Sequence, residues 1–242
     1  TIAEAVTLLR DHPGKGQWIA GGTRVAVEQD PALDYLVDLT SCGLDYIQEQ
    51  NGQFRIGACT TLEELNQSQL IGNLAAGILA ETAGWTGSIQ LRNSATVGGS
   101  LVSIADLALP LVAMDAQIVI VGDAERTVPL VEFYANPGNR LHQGELIKEC
   151  ILSGEFRDAA GRVLRMRRTR QDVALFGVAA VVIKKEGICK KARIAVKPVV
   201  SGVTRVRKAE ALLEGQPVTD ALITKAAETV AQEIQPVDDY RA

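Results

Sequence analysis

The sequence predicts an α+β fold, and three observations support that prediction. Thr1 and Thr61 each stand three residues before a Glu, which is the capping-box spacing at the start of a helix. Asn51-Gly52 separates two short apolar runs, which is a strong β-hairpin signal. Further along, apolar runs of strand length precede two stretches with helical periodicity. Helices and antiparallel strands in separate stretches of sequence are typical of α+β proteins.

The first 45 residues are predicted to form an opening helix and a small βαβ-type unit. Glu4 completes the first capping box, and apolar residues then recur on one helical face until Pro13-Gly14. Gln17 to Ala20 and Tyr35 to Leu39 are short strand-like runs with polar flanks. We therefore expect a two-stranded start to the fold, with its glycine-containing connection directly after the first strand.

After the hairpin, the pattern predicts helices followed by one strand. The capping box completed by Glu64 begins the first of these helices. Leu74 to Ala83 is rich in Ala and Leu, which favour helix formation. Leu107 to Ala113 is predicted to be a helix that leads into a strand at Gln117 to Val121, after which Gly122-Asp123 turns the chain.

The last part of the chain is predicted to be an antiparallel layer covered by helices. Apolar runs at residues 145–152, 173–184 and 188–196 are interpreted as three strands of that one layer. Residues 205–213 and 219–234 both show helical periodicity. We expect these two helices to cover one face of the layer.

Composition argues against several classes of function. The 25 Lys and Arg against 29 Asp and Glu give a net charge of -4, so we expect neither nucleic acid nor an anionic membrane as partner. The longest apolar stretch, Val173 to Ile183, is about half of the roughly 20 residues that span a bilayer. Cys42, Cys59, Cys150 and Cys189 form no CxxC pair, which predicts no metal site on this chain and favours a cytoplasmic location.

Two glycine pairs are the strongest functional signal in the sequence. Gly21-Gly22 follows the first predicted strand and precedes Thr23, and Gly98-Gly99 follows Thr96. Residues without a Cβ allow backbone N–H groups to approach a phosphate closely, and the Thr hydroxyls add donors. A single glycine pair after a strand is most often a plain turn. Two similar loops favour binding of one elongated ligand, and a dinucleotide has that shape.

The common nucleotide motifs and catalytic sets are absent from the sequence. Neither glycine pair belongs to a GxGxxG fingerprint or to a GK[ST] phosphate loop, so Rossmann and P-loop folds are disfavoured. The two histidines, His12 and His142, form no plausible set with a nucleophile. We therefore predict no catalytic side chain on this chain.

Several motifs in order resemble the FAD-binding subunit of the molybdenum hydroxylases. They are Ala20-Gly21-Gly22-Thr23, then Arg92-Asn93-x-Ala95-Thr96-Val97-Gly98-Gly99, then Asp106-x-x-x-Pro110-x-x-x-Ala113-x-Asp115-Ala116. Gly144-Glu145-Leu146-Ile147 and the stretch from Arg168 to Val181 extend the resemblance over nearly the whole chain. The family includes the medium subunit of carbon monoxide dehydrogenase and the flavin subunit of xanthine dehydrogenases.

The resemblance implies a particular version of the α+β fold. It is the two-lobed FAD-binding fold of the vanillyl-alcohol oxidase and p-cresol methylhydroxylase type, followed by an antiparallel α+β C-terminal domain. We expect the N-terminal FAD-binding lobe at residues 1–45, the second FAD-binding lobe at residues 46–155, and the C-terminal antiparallel sheet with helices at residues 156–242.

The resemblance also implies which residues bind the cofactor. The two glycine loops are expected to hold the diphosphate and ribityl region, so that a branched side chain at Gly98 would enter the site. Asp106 is expected near a ribose or the adenine, and Ile147 and Arg165 approach the flavin from the C-terminal side. The implied cofactor-binding residues are Ile19, Ala20, Gly21, Gly22, Thr23, Arg24, Val25, Thr96, Val97, Gly98, Gly99, Ser100, Asp106, Ile147 and Arg165.

The implied activity is that of an electron-carrying oxidoreductase subunit. Electrons would pass from a molybdopterin-binding large subunit, through the [2Fe-2S] clusters of an iron-sulfur small subunit, to FAD, and then to NAD or another acceptor. The molybdenum cofactor and the clusters are expected on those partner subunits. Two alternatives stay open: a flavin-free assembly scaffold and a stand-alone FAD-dependent reductase.

A few residues near the motifs have more than one interpretation. The Arg165 to Arg170 run is interpreted as a solvated strand face, with attraction of an anionic flavin or docking of an acidic partner as the alternative. Trp85 is interpreted as a packing residue and Asp115 as a helix-end residue. Ser100 replaces the family's usual Asn, and the loop from Gly99 to Asp106 is shorter than usual.

Overall fold

A computed structural model describes residues 1–169, 174–197 and 202–234. The strands in these residues are β1 (Gly16–Ile19), β2 (Tyr35–Asp38), β3 (Ile47–Gln50), β4 (Gln53–Gly57), β5 (Gln117–Val121), β6 (Glu125–Pro129), β7 (Leu146–Ser153), β8 (Ala160–Met166), β9 (Phe176–Lys185), β10 (Ile188–Lys197) and β11 (Thr204–Arg205). The α-helices are α1 (Ile2–Asp11), α2 (Val25–Glu28), α3 (Leu62–Gln67), α4 (Gln69–Gly72), α5 (Ile78–Gly84), α6 (Ile89–Arg92), α7 (Val97–Val102), α8 (Ala108–Ala113), α9 (Leu130–Ala135), α10 (Arg207–Leu213) and α11 (Asp220–Glu233). The described residues combine these helices with antiparallel sheets, which confirms the α+β class.

The N-terminal unit matches its prediction closely. The Thr1 hydroxyl accepts a hydrogen bond from the Glu4 backbone amide and the Glu4 carboxylate binds the Thr1 backbone nitrogen, so α1 opens with the predicted capping box. Strands β1 and β2 pair in parallel, with α2 between them in sequence, which confirms the βαβ-type unit. The chain leaves β1 at Ile19 and enters α2 at Val25, and the first glycine pair lies between them.

The middle of the chain forms an antiparallel sheet with strand order β3-β4-β7-β5-β6. The β3–β4 turn has positive φ at Asn51 (52°) and Gly52 (73°), which confirms the predicted hairpin. The prediction that β7 belongs to the C-terminal layer was wrong. Nearly all of β7 is buried, so it takes a central position between β4 and β5.

The C-terminal sheet has strand order β11-β10-β9-β8 and is antiparallel throughout. Helices α10 and α11 pack on one face of it, as predicted, and α8 packs against β9 and β10. The predicted strand over 173–184 begins later, at Phe176, and Val173 lies outside the described residues. Strands β6 and β8 were not predicted, because their polar residues hide the strand pattern.

One predicted helix is interrupted. The run from Leu74 to Ala83 begins as a 3₁₀ turn with left-handed φ at Ala75 (46°) and Ala76 (57°), and a regular helix starts only at Ile78. The turn fits against β8, because a Cβ on Gly161 would lie 2.3 Å from the Ala75 carbonyl oxygen. Tertiary packing thus overrides the helix propensity of the Ala residues.

Buried apolar residues form three clusters. The largest lies around the middle sheet, a second joins α1 and β2 to Cys59 and Leu146, and a third lies between the C-terminal sheet and its helices. The division of the chain into 1–45, 46–155 and 156–242 stays a prediction. Among the described helices, none is long and apolar enough to cross a bilayer.

Candidate functional site

A cleft of about 570 Å³ lies where the N-terminal unit meets α7. Its walls include both glycine pairs, which we call the first glycine loop (residues 20–24) and the second glycine loop (residues 94–100). The two loops touch, because a Cβ on Gly21 would lie only 1.5 Å from the Ser94 carbonyl oxygen. Any residue larger than glycine at position 21 would therefore force the loops apart.

The first glycine loop presents unpaired backbone donors to the cleft. The N–H groups of Gly21, Gly22, Thr23 and Arg24 have no hydrogen-bond acceptor among the described residues. Gly22 has φ +65°, a conformation that glycine adopts at little cost. The Arg24 guanidinium lies outside this row of donors, because it binds the Glu28 carboxylate at 2.5 Å. A run of free amides in a cleft is a favourable environment for an anion.

The second glycine loop is built differently, because its amides are already used. The amides of Val97 and Gly98 donate to the carbonyls of Thr60 and Ala58, at 2.9 and 2.8 Å. The Thr96 hydroxyl caps α7 by accepting from the Gly99 amide at 3.2 Å. What this loop offers the cleft is the open glycine surface at Gly99.

The two glycines of the second loop have separate roles. A Cβ on Gly98 would meet Ala58 at 2.9 Å (Cβ) and 3.0 Å (O), so Gly98 faces protein. The expectation that a side chain there would enter the site was wrong, since its Cα–H points at the segment after β4. A Cβ on Gly99 would meet only the Thr96 hydroxyl, at 3.1 Å, and would otherwise stand in open space. Gly99 is therefore the glycine that keeps the cleft clear.

Apolar residues from β1 and β7 complete the walls. Ile147 is buried in β7 and lines the cleft, as predicted. Trp18 also lines it, and its indole N–H donates to the Glu145 carbonyl at 2.7 Å. Sequence reasoning missed Trp18, because a lone aromatic in a short strand is usually a packing residue. Its position immediately before the first glycine loop was the available signal.

Asp106 and Arg165 bind each other and do not line the cleft. An Arg165 Nη1 atom lies 2.9 Å from an Asp106 carboxylate oxygen, and the Lys197 ammonium lies 3.3 Å from the other oxygen. The Arg165 guanidinium also stacks on the Trp85 ring, 4.6 Å from its centroid. The cluster stands behind Ala105, which does line the cleft. Both residues thus reach the site only through neighbours.

The structure decides three interpretations of charged and aromatic residues. Arg165 is largely buried, so the solvated-face interpretation of the Arg165 to Arg170 run was wrong at its first residue, and Arg170 lies outside the described residues. Trp85 packs against the main core, as predicted. Asp115 follows α8 with φ 50° and pairs with Arg193 at 2.7 Å, which confirms its helix-end role.

The cleft brings together most of the residues predicted to hold a cofactor. Those that line it are Ile19, Ala20, Gly21, Gly22, Thr23, Arg24, Val25, Thr96, Gly98, Gly99, Ser100 and Ile147. Those that do not are Val97, Asp106 and Arg165. Val97 is buried in the main core, because it is the first residue of α7 on its inner face.

The donor set fits an elongated anionic ligand such as a dinucleotide. On one side, the cleft is lined by the first glycine loop with its four free amides. On the other side, any Cβ added to Gly99 would occupy open space in the cleft. The hydroxyls of Thr23 and Ser100 lie in the same cleft. Apolar walls next to a small number of aimed donors are typical of nucleotide-cofactor sites.

Comparison with known proteins identifies the family. Residues 1–152 match the family model described as the FAD binding domain in molybdopterin dehydrogenase. The chain belongs to this FAD-binding family. Residues 163–242 match the CO dehydrogenase flavoprotein C-terminal domain. The resemblance predicted from the motifs is confirmed, and the protein is an oxidoreductase subunit of the molybdopterin dehydrogenase type.

Individual relatives of this FAD-binding subunit agree with the family model. The 6-hydroxypseudooxynicotine dehydrogenase complex subunit alpha of Paenarthrobacter nicotinovorans is 31% identical over 98% of this chain and 83% of its own length. The xanthine dehydrogenase FAD-binding subunit of Escherichia coli O157:H7 is 26% identical over 100% of this chain and 86% of its own.

A solved structure supports the fold of the FAD-binding subunit. Carbon monoxide dehydrogenase from Hydrogenophaga pseudoflava, in a form lacking the Mo-pyranopterin moiety of the molybdenum cofactor, aligns with a TM-score of 0.91 and 26% identity. The alignment covers 100% of this chain and 87% of that chain. The predicted two-part fold, an FAD-binding region followed by an antiparallel C-terminal domain, is confirmed.

Proposed function

We propose that this subunit binds FAD in the cleft and passes electrons from an iron-sulfur subunit of a molybdenum hydroxylase to NAD or another acceptor. The observation that carries the proposal is the row of four amides in the first glycine loop that have no acceptor among the described residues, in a loop that lines the same cleft as Gly99. Backbone donors in this arrangement are suited to a diphosphate. The family match supplies the identity of the dinucleotide.

The chain's own residues have three tasks in this proposal. The amides of Gly21 to Arg24 donate to the diphosphate, with the hydroxyls of Thr23 and Ser100 as further donors. Ile147 and Trp18 exclude water from the apolar walls. The Asp106–Arg165 pair sets the position of the loop that precedes α8. When bound, FAD supplies the redox chemistry, which explains why no catalytic side chain is needed.

The proposed partners are a molybdopterin-binding large subunit and an iron-sulfur small subunit. One relative is named as a subunit of a dehydrogenase complex, and another as the medium chain of carbon monoxide dehydrogenase. The molybdenum cofactor and [2Fe-2S] clusters belong to those partner subunits in the proposal. An electron-carrying subunit needs such neighbours, because it holds no substrate-oxidising group of its own.

The two other functions predict different behaviour. A flavin-free scaffold has no use for a cleft lined by both glycine loops, whereas a bound dinucleotide would accept hydrogen bonds from the four amides that lack a described acceptor. A stand-alone reductase would need its own substrate pocket and a proton donor beside the flavin, and among the described residues that line the cleft there is no His or Tyr, although Ser100 and Ser103 are hydroxyl residues there. The geometry therefore supports the electron-carrying subunit best.

The test begins with the purified full chain and its visible absorption spectrum. We expect a flavin spectrum as isolated, or after addition of FAD and removal of excess by gel filtration, at one FAD per chain. Anaerobic addition of NADH, followed by dithionite, then shows whether NAD is the acceptor or another is used. A chain that stays colourless after incubation with FAD would contradict the proposal and favour the scaffold.

A further inference from the structure

The segment between α5 and α6 forms a wall of the cleft that no sequence motif indicated. We call residues 84–88 the Trp85 loop. Thr86 is half-buried and lines the cleft. Its hydroxyl makes no hydrogen bond to any described residue, although its backbone amide donates to the Ala83 carbonyl at 3.2 Å. The loop therefore presents one free hydroxyl to the same space as the two glycine loops.

An arginine of the second glycine motif holds this loop from one side. The two N–H groups of Arg92 Nη1 are shared among the carbonyls of Gly84, Thr86 and Gly87, in long contacts of 3.4, 3.5 and 3.4 Å. Its Nε donates to the Glu63 carboxylate at 2.6 Å. Both side chains of this ion pair are largely buried, at 16% and 10% exposure. Arg92 thus acts on the loop and does not face the cleft.

A second arginine holds the loop from the opposite side. Arg165 Nη2 donates to the Trp85 carbonyl at 3.3 Å, and its guanidinium lies over the Trp85 ring. Arg165 comes from β8 in the C-terminal sheet, and its charge is balanced by Asp106. The carbonyls of four successive residues, 84 to 87, are therefore all bound by one or the other guanidinium.

This degree of restraint has a physical consequence at Thr86. Surface loops normally leave carbonyls to water, and their side chains sample several orientations. A loop whose carbonyls are fixed by planar, multiply donating arginines has lost that freedom before any ligand arrives. Thr86 thus meets a ligand from a backbone position that is already ordered, so less ordering entropy opposes binding.

We propose that Thr86 is a binding residue for the dinucleotide and that Arg92, with Glu63, is its positioning residue. The inference rests on the proposed function, since it needs FAD in the cleft. Thr86 donates its hydroxyl to an oxygen of the bound dinucleotide. Arg92 contributes only through the orientation of the Trp85 loop, so its effect on FAD binding passes through Thr86.

The test uses two variants of the full chain, Thr86→Val and Arg92→Lys. Valine keeps the shape of threonine and removes the hydroxyl, and lysine keeps the charge and removes the fork that reaches several carbonyls. We expect each to raise the Kd for FAD about tenfold in calorimetric titrations, the effect of one lost hydrogen bond. We also expect Arg92→Lys to change the visible circular dichroism of bound FAD.

A double variant separates positioning from a general loss of stability. If Arg92 acts through Thr86, the two effects are not additive. The double variant should then bind FAD about as tightly as whichever single variant binds it more weakly. Arg205→Lys is the matched control, since Arg205 forms an equally buried ion pair with Glu210 and neither lines the cleft. It should lower the thermal midpoint and leave the Kd unchanged.

The outcomes distinguish this inference from the proposed function. Wild-type affinity for FAD in Thr86→Val overturns the assignment of Thr86. Fully additive losses in the double variant overturn the positioning role of Arg92. A wild-type chain that does not bind FAD overturns the proposed function itself, and the inference with it.

Discussion

Replacing Gly99 by alanine should weaken FAD binding without destabilising the protein. In α7, alanine gains up to about 1 kcal/mol of helix propensity over glycine. The new methyl group would lie 3.1 Å from the Thr96 hydroxyl, which caps the helix, and a disturbed cap costs about 1 kcal/mol. The two terms nearly cancel, so the free energy of unfolding should change by less than about 1 kcal/mol.

The same methyl group occupies open cleft, and this sets the size of the binding effect. Displacing a phosphate oxygen from one charge-assisted hydrogen bond costs about 1.5–3 kcal/mol, which corresponds to roughly a 10- to 150-fold rise in Kd. Calorimetric titration of the flavin-stripped chain with FAD measures the Kd, and thermal unfolding of the same sample measures stability.

Gly98→Ala probes the other face of the same motif, because its Cβ would press on Ala58 and not stand in open space. Overpacking of this kind costs about 1–3 kcal/mol, or roughly 2–12 °C in thermal midpoint for a chain of this size. A Gly99→Ala variant that is as stable as wild type and binds FAD equally well would refute the placement of the dinucleotide against α7.

Three further predictions concern residues in or near the cleft. FAD should quench tryptophan fluorescence through Trp18, and Trp18→Phe should remove most of the quenching in a fluorescence titration. The Arg92 hydrogen bond holds the pKa of Glu63 below 4.5, so the stability from this pair is present above that pH and is lost as pH falls through the lowered pKa; Glu63→Gln should flatten the fall in thermal midpoint below pH 4.5. Burial raises the pKa of Cys59 to about 11, so iodoacetamide at about pH 8 should modify the more exposed Cys42 first, as peptide mass mapping will show; prior labelling of Cys59 would contradict this.

Local chemistry explains which parts of the fold could be predicted from the sequence. Both capping boxes and the Asn51-Gly52 hairpin depend on hydrogen bonds and φ angles within a few residues, and all three were correct. The sheet to which β7 belongs depends on the strands that pair with it on either side. A single apolar run in the sequence does not indicate which strands those are. The break at Ala75 likewise follows from contact with Gly161, which is 86 residues away in sequence.

The same distinction applies to the candidate site. The glycine loops were predictable, because glycine pairs with adjacent Thr residues point to backbone donors. The direction in which each glycine faces was not predictable: Gly98 and Gly99 are adjacent in one motif, yet one contacts Ala58 and the other the cleft. The Trp85 loop was not predicted, because it is held by hydrogen bonds from Arg92 and Arg165 to backbone carbonyls. Every residue has a backbone carbonyl, so the sequence does not show which ones these arginines bind.

Charge around the cleft links the two halves of the chain into one site. Arg165 and Lys197 both come from the C-terminal sheet, and both bind Asp106, which precedes α8. Asp106 directly follows Ala105, a residue of the cleft wall, and it is paired with two cations whose charge is weakly screened because their side chains are largely buried. The first glycine loop supplies donors without a formal charge. The C-terminal sheet thus contributes positive charge near the cleft, although none of its described residues lines the cleft.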